Sequence, residues 1–352
     1  MKKLRIWLDD RLGMVPIFAF LRKKDVPQHK HSFLYYTGSS ILLFLGIQIV
    51  TGIMLAFYYQ PTLKEANASV VRIMTEVPLG WIIRSIHSWS SSFMIGLVMI
   101  HLIGIMLTKA YRSPREATWM SGVFLLAISM MFGFTGYLLP WDDLSLSATK
   151  VGTDIPKVIP FVGAWVTKFL RGGDDVTGDT LTRFFIFHVC VFPLLIFLIL
   201  AVHIFLVQKH GMSLPLEVER KKEKVKALPF WPNFVLRESV AWMVLLGVLL
   251  TVAVVLAPSL GPPADLLAPA PEGIKPEWYF LFLFQTLKIF PARVLFVTGE
   301  ALAVLAIVLA VAFLFFLPLI DTRPWDKKGK VITWLTYAFI LYAAAMTVWS
   351  LL

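Results

Sequence analysis

The sequence has one cysteine in 352 residues, Cys190, which excludes an internal disulfide and any cysteine-based zinc or iron–sulfur centre. Charge is scarce as well. Only 16% of residues are charged, where a soluble domain carries about 25%, and mean hydropathy is +0.75. A water-soluble globular enzyme is not expected from such a chain; the composition is that of an integral membrane protein. A cleavable signal peptide is not expected either. Met1-Lys2-Lys3-Leu4-Arg5 resembles an n-region, but Asp9, Asp10 and Arg11 stand where an apolar h-region belongs, so the first span is expected to direct insertion. Acidic residues are outnumbered 22 to 33, giving a net charge of +11. These basic residues fall in short stretches between apolar runs, so they point to orientation in a bilayer and not to nucleic acid.

Apolar sequence is what the chain has in abundance, at 58% of residues. Seven stretches are long enough to cross about 30 Å of hydrocarbon at about 1.5 Å per residue. They cover residues 38–59, 81–108, 117–139, 184–208, 239–256, 301–320 and 331–352. Two shorter runs, 158–166 and 278–287, are interrupted by Pro, Gly or charge and read as half-buried segments at the membrane surface. We call the side of the N-terminus the N side and the other the P side. The N-side segments hold 22 of the 33 Lys and Arg residues and the P-side segments 11. The positive-inside rule then expects an N-terminus that is cytoplasmic, or on the organellar equivalent of that side; the membrane expected is a bacterial cytoplasmic one. The expected organisation is an N-side amphipathic segment (1–36), a four-helix domain (37–215), a basic N-side linker (216–238) and a three-helix domain (239–352). The linker's Glu219-Arg220-Lys221-Lys222-Glu223-Lys224 reads as a solvated loop touching lipid headgroups.

Four histidines carry the chemistry. His87 and His101 lie on the second span, His188 and His203 on the fourth, at spacings of 14 and 15 residues. At about 100° per residue each pair stays on one broad face, and fourteen residues rise about 21 Å. The two spans run parallel, so His87 and His188 share a depth near the P side, and His101 and His203 share one nearer the N side. A lone membrane histidine is usually a hydrogen-bonded packing residue. Two facing pairs are what two haem irons need when both axial positions are filled by protein, and such irons carry electrons without binding oxygen. Glycines support the reading. Gly38 and Gly52 on the first span, and Gly122 and Gly136 on the third, repeat the 14-residue interval and leave room for a ring edge at each level. Arg84, Arg183 and Arg115 are the candidate partners of haem propionates, Arg84 sharing the His87 face; snorkelling to headgroups is the alternative for the other two.

Two motifs lie on P-side connections: Gly136-Tyr137-Leu138-Leu139-Pro140-Trp141-Asp142 and Pro276-Glu277-Trp278-Tyr279. Pro276-Glu277 can be a simple helix start, or Glu277 can accept a proton from a quinol. The paired histidines, the glycines, the Tyr-x-x-Pro-Trp run, Thr180-Leu181-Thr182-Arg183-Phe184 and Pro-Glu-Trp-Tyr together resemble cytochrome b of the quinol–cytochrome c or plastocyanin oxidoreductases, from Val26 to the end. The 15-residue spacing, residues 68–76 and residues 80–87 are similar to the chloroplast-type protein. There the same seven helices are divided between a four-helix cytochrome and a three-helix partner; here the two look fused.

The resemblance implies an all-α fold of seven transmembrane helices and two b-type haems, each bis-His, on His87/His188 and His101/His203. It implies that quinol binds near Tyr137, Trp141, Asp142, Glu277 and Tyr279. One electron goes to a Rieske iron–sulfur protein and on to a c-type cytochrome. The other crosses the two haems to an N-side quinone, where His210 is the candidate proton donor. Protons leave on the P side. A homodimer of the complex is implied as well. The chloroplast-type protein carries a cysteine that anchors an additional covalent haem; Tyr36 stands in that place here, so such a haem is not expected. Cys190 is expected to be a small core residue. A di-haem membrane anchor of a hydrogenase, formate dehydrogenase or succinate dehydrogenase remains an alternative, and a proton-coupled transporter a more distant one.

Overall fold

The computed structural model describes residues 6–352 apart from 8, 12, 14–18, 20, 222–224 and 270. Much of the 1–36 segment and the Lys222-Glu223-Lys224 part of the basic linker therefore lie outside the described residues. Among the described residues, seven helices are long and apolar enough to cross a membrane. They are α1 (Tyr35–Ala56), α2 (Gly80–Thr108), α3 (Glu116–Leu138), α4 (Gly178–His210), α5 (Val235–Val255), α6 (Gly299–Ile320) and α7 (Lys327–Leu351). The ends follow local chemistry. Pro140 stops α3 shortly after Leu138, and Thr177 and Thr180 form a reciprocal capping box that starts α4 six residues before the apolar run begins. The two short apolar runs are helical as well. Residues Gly163–Arg171 form an amphipathic helix on the P side, and Trp278–Phe280 opens a turn that continues as helix Leu281–Ile289.

One feature of α4 is invisible to helical periodicity. Phe187–Val191 is a π-helical turn, starting one residue before His188. A π-bulge takes up one extra residue, so the 15 residues from His188 to His203 advance the helix by the phase of 14. The two histidine pairs thus keep the same angular relation on α2 and α4. Cys190, within the bulge, is exposed rather than a core residue, because the face opposite His188 points away from the bundle.

The N-terminal and linker segments meet on the N side, where β1 (Asp25–Gln28) pairs antiparallel with β2 (Lys226–Pro229). The three C-terminal helices are fastened to the first four at both ends. Near the P side, Ser85 Oγ donates to Ala253 O (2.6 Å) and Trp89 Nε1 to Leu256 O (2.7 Å), capping carbonyls that α5 leaves open at its end. Near the N side, Lys109 Nζ donates to Asp321 Oδ2 (2.8 Å) and Gly329 O (3.0 Å), and Tyr111 Oη donates to the same carboxylate oxygen (2.5 Å). The ion pair is buried, so removing either partner would strand a charge in a medium that cannot solvate it.

Candidate haem and quinol sites

The functional side chains are held by a unit that the chain repeats four times. In each, a hydroxyl residue followed by glycine on α1 or α3 faces a histidine on α2 or α4. Thr51 Oγ1 lies 2.9 Å from His87 Nδ1, Thr37 Oγ1 2.8 Å from His101 Nδ1, Ser121 Oγ 2.9 Å from His203 Nδ1 and Thr135 Oγ1 3.3 Å from His188 Nδ1. Each hydroxyl also donates its own hydrogen to a carbonyl of its helix: Thr51 to Ile47 O, Thr37 to Leu34 O, Ser121 to Thr118 O and Thr135 to Met131 O. A hydroxyl has one hydrogen. With that hydrogen committed to the helix, its oxygen accepts from Nδ1–H of the imidazole. The tautomer follows: Nε2 of all four rings keeps its lone pair.

The following glycine makes room for the ring. A Cβ on Gly136 would meet His188 Cε1 at 2.7 Å, on Gly52 His87 Cε1 at 3.2 Å, on Gly122 His203 Cε1 at 3.3 Å and on Gly38 His101 Cε1 at 3.7 Å. Each of these glycines lies against the imidazole of a paired histidine. The hydroxyls were missed altogether, although the sequence carries the signal: Thr37-Gly38, Thr51-Gly52, Ser121-Gly122 and Thr135-Gly136 are two pairs of Ser/Thr-Gly at 14-residue spacing.

His87 and His188 face each other with ring centroids 6.3 Å apart and planes at 71°. Two nitrogen–metal bonds of about 2 Å each, together with the two ring radii, would fit within that separation. His203 is likewise the neighbouring imidazole of His101. Two neutral nitrogen donors, a glycine cradle and an oriented Nδ1 are what a six-coordinate haem iron requires of its protein, so the residues present fit the group.

The arginines are engaged with backbone. Arg84 Nη1 donates to Pro258 O (2.8 Å) and Arg183 Nη1 to Phe169 O (3.2 Å). Arg115 Nη2 donates to His210 O (3.0 Å), which ties α3 to the end of α4 and brings His210 to the N-side mouth of the His101/His203 level. His210 Nδ1 is buried there and has no hydrogen-bond partner among the described residues.

On the P side, the segment that joins α5 to α6 wedges its aromatic rings between α2 and α3, again at glycines. A Cβ on Gly96 would meet Trp278 at 3.5 Å, and one on Gly133 would meet Tyr279 Oη at 2.5 Å. Gly133 lies one helical turn from Gly136, so Tyr279 is anchored next to the His188 level. Glu277 precedes this turn at its N-cap position, but its carboxylate makes no capping hydrogen bond. It makes no hydrogen bond or ion pair at all among the described residues. Burial pushes the Glu277 carboxyl above its ordinary value, and Tyr137 and Tyr279 both lie within its electrostatic reach. A half-buried acid with no structural duty, walled by aromatic rings, is chemically free to exchange a proton.

Trp141 and Asp142 are different. Trp141 is buried in the core cluster with Leu138, Leu146 and Phe184. Asp142, implied to lie near the quinol, has a structural duty. Its Oδ1 caps the following helix by accepting from Ser145 N (2.8 Å), and its Oδ2 accepts from Gly261 N (3.2 Å). One oxygen thus starts the helix after α3, and the other ties that segment to the connection between α5 and α6.

Residues 22–211 match the family model described as cytochrome b/b6/petB, and residues 263–352 match cytochrome b(C-terminal)/b6/petD. The cytochrome bc complex cytochrome b subunit of Chlorobaculum thiosulfatiphilum is 42% identical over 93% of this chain and 75% of its own length. Cytochrome b6 of Crocosphaera subtropica is 43% identical over 61% of this chain and 96% of its own. Among solved structures, a chain of a hyperthermophilic respiratory complex III superimposes with a TM-score of 0.88 at 28% identity, over 98% of this chain and 91% of that one. The chain belongs to the cytochrome b/b6 family, with the N-terminal and C-terminal units of that family joined in one polypeptide.

Proposed function

We propose that this protein is the di-haem, quinol-oxidising subunit of a bc-type complex, with His87/His188 and His101/His203 as the two bis-histidine ligand pairs. The observation that carries the reading is the fourfold hydroxyl–glycine–histidine unit, which leaves an Nε2 lone pair on each of four histidines, His87 facing His188 and His101 neighbouring His203. Haems bound there supply a route for single electrons across the membrane. Nε2 of each histidine is the ligand atom, and Thr51, Thr135, Thr37 and Ser121 hold the rings in the ligating tautomer. Arg84 and Arg183 on the P side and Arg115 on the N side would be the cationic partners of the propionates.

Quinol is oxidised on the P side in a pocket walled by Tyr137, Tyr279 and Trp278. Oxidation releases two protons with the two electrons: Glu277 accepts one and releases it to the P side, and the second leaves to the same side. One electron goes to a Rieske iron–sulfur protein and on to a c-type cytochrome, and the other crosses toward the N side. There a quinone is reduced and takes up protons, with His210 at hand as a donor. The N-terminus lies on the cytoplasmic side of a bacterial membrane, and the assembled complex is a homodimer. A pyridine haemochrome assay tests the core of this proposal. Two b-type haems per chain are expected in the wild type, and the His203→Ala variant should lose the N-side haem while keeping much of the other. A count near zero in the wild type would overturn it.

A further inference from the structure

On the N side the last two spans are joined by Asp321-Thr322-Arg323-Pro324-Trp325-Asp326. This short connection leaves α6 at Ile320 and enters α7 at Lys327, so it is held where both spans meet the membrane surface. Trp325, about half exposed there, is a residue type favoured at that depth. The connection is tightly closed. Asp326 N donates to Arg323 O (3.0 Å), and a Cβ on Gly329 would strike Pro324 O. Against it lies a cavity of about 580 Å³ lined by Asp321, Thr322, Arg323, Asp326, Lys327 and Lys328.

The groups around this cavity are incompletely bonded. Arg323, Lys327 and Lys328 are exposed, and none of them makes an ion pair or side-chain hydrogen bond among the described residues. Asp326 starts α7 without a side-chain cap, and the first backbone bond of the helix is Lys330 N to Asp326 O (3.1 Å). The N–H groups of the first helical turn are therefore open, and with the three cations they suit an anion. An independent feature asks for a donor. The Asp321 side chain is fully buried; its Oδ2 accepts from Lys109 Nζ and Tyr111 Oη, while Oδ1 is buried with no hydrogen-bond partner among the described residues. A buried carboxylate oxygen left in this way is costly. A second ammonium on a carboxylate already paired with Lys109 would meet repulsion, whereas a hydroxyl would not. Three cations face two acids in the lining, and Lys109 already neutralises one of those acids, so the cavity favours an anion over a net-neutral group.

We propose that this cavity binds an anionic phospholipid with a hydroxylated headgroup, of the phosphatidylglycerol type. Its phosphodiester is held by Arg323, Lys327, Lys328 and the open N–H groups of α7, and a headgroup hydroxyl donates to Asp321 Oδ1. The source is membrane lipid because the cavity opens where apolar helix surface begins. Ile320 itself lines it and is half exposed, as is Leu319, and α6 carries no charged residue between Glu300 and Asp321. A bound lipid would brace the ion pair that ties the end of α2 to the last two spans.

The test uses the full-length protein, delipidated in neutral detergent, with its thermal midpoint followed as lipid is added to the micelles. Phosphatidylglycerol should raise the midpoint by several degrees and saturate. Phosphatidylethanolamine and phosphatidylcholine should not. Phosphatidylmethanol, which has the same charge and no hydroxyl, should need several-fold higher concentration. The triple variant Arg323→Gln/Lys327→Gln/Lys328→Gln removes side chains that have no partner in the fold. It should keep the lipid-free midpoint of the wild type and lose the response. Native mass spectrometry is the second measurement, with one phosphatidylglycerol per chain retained by the wild type and lost from the variant. An undiminished response and count in the variant would overturn the proposal. So would equal stabilisation by phosphatidylethanolamine or phosphatidylmethanol, or by water-soluble glycerophosphoglycerol, which would make this a site for a soluble phosphodiester.

Discussion

The P-side and N-side histidine pairs are built from one unit yet set in different surroundings. Both use a Ser/Thr-Gly dipeptide to orient and admit each imidazole. The P-side pair is the tighter: its glycines would meet the rings at 2.7 and 3.2 Å if they carried a Cβ, against 3.3 and 3.7 Å on the N side. Above the P-side pair lies a wedge of aromatic rings and a carboxylate without a structural partner. The N-side pair opens instead toward Arg115 and His210. The same ligand unit can therefore serve twice, and what distinguishes the two levels chemically comes from the connecting segments laid over it.

The largest effect should come from closing one cradle and not the other. In Gly136→Ala the new methyl would overlap His188 Cε1, and neither the backbone of α3 nor a ring fixed by Thr135 can retreat cheaply. Loss of the P-side haem is expected. In Gly38→Ala the methyl would rest in ordinary contact at 3.7 Å from His101, and both haems should remain. Haem counting with a redox titration of each variant checks this. Equal behaviour of the two variants would break the comparison.

Next in size is Glu277→Gln, which keeps the shape of the segment and removes its base. General-base assistance is typically worth 10²–10⁴-fold, so quinol-dependent reduction should slow by at least about tenfold with both haems bound. The sign with pH follows from burial. The Glu277 carboxyl is held above its ordinary value, so it stays protonated, and unable to accept, to a higher pH than a surface glutamate. The rate should rise with pH through that raised midpoint, and the rising limb should vanish in the variant. A rate that is wild-type at every pH would mean that the carboxylate is structural.

Much of this was legible in the sequence because membrane helices expose their periodicity. The spans, the histidine pairs and the glycine interval all depend on one period and on apolar runs that nothing interrupts. What escaped has physical causes. The 15-residue spacing on α4 looks like a different phase until the π-turn at Phe187–Val191 absorbs a residue, and such a turn has no composition signal. Thr37, Thr51, Ser121 and Thr135 were passed over because hydroxyls in membrane helices usually bond back to their own helix. These do so too, and use the remaining lone pair on a histidine. The hydrogen bonds that Arg84 and Asp142 make to the α5–α6 connection join segments more than a hundred residues apart, which no local pattern announces.

A smaller effect tests the shared unit itself. Thr51→Val and Ser121→Ala each remove the acceptor for one Nδ1–H, one on each level, while leaving the glycine in place. Groups that orient a ligand histidine typically contribute 10–100-fold in affinity or activity. Both variants should therefore bind their haem more weakly and shift its midpoint potential, with similar size on the two sides. An effect confined to one side would show that the unit is not equivalent at the two levels.

The smallest effect should come from Asp142, and it separates the acid that reacts from the acid that holds. Its two carboxylate oxygens accept from Ser145 N and Gly261 N, one bond starting the helix after α3 and the other pinning the connection to the C-terminal half. Asn caps a helix about as well as Asp, so Asp142→Asn keeps the first bond and gives up the second, an amide having one acceptor oxygen. The lost bond is worth about 1 kcal/mol, which should appear as slightly lower resistance to denaturant and as no loss of quinol oxidation. Asp142→Ala gives up both bonds; loss of the cap alone should cost about 0.5–2 kcal/mol, again without slowing turnover. Added to Glu277→Gln, the Asn substitution should slow the reaction no further. If the double variant is slower than Glu277→Gln alone by more than its loss of folded protein accounts for, then Asp142 does take part in proton exit, and the division drawn here between the two carboxylates is wrong.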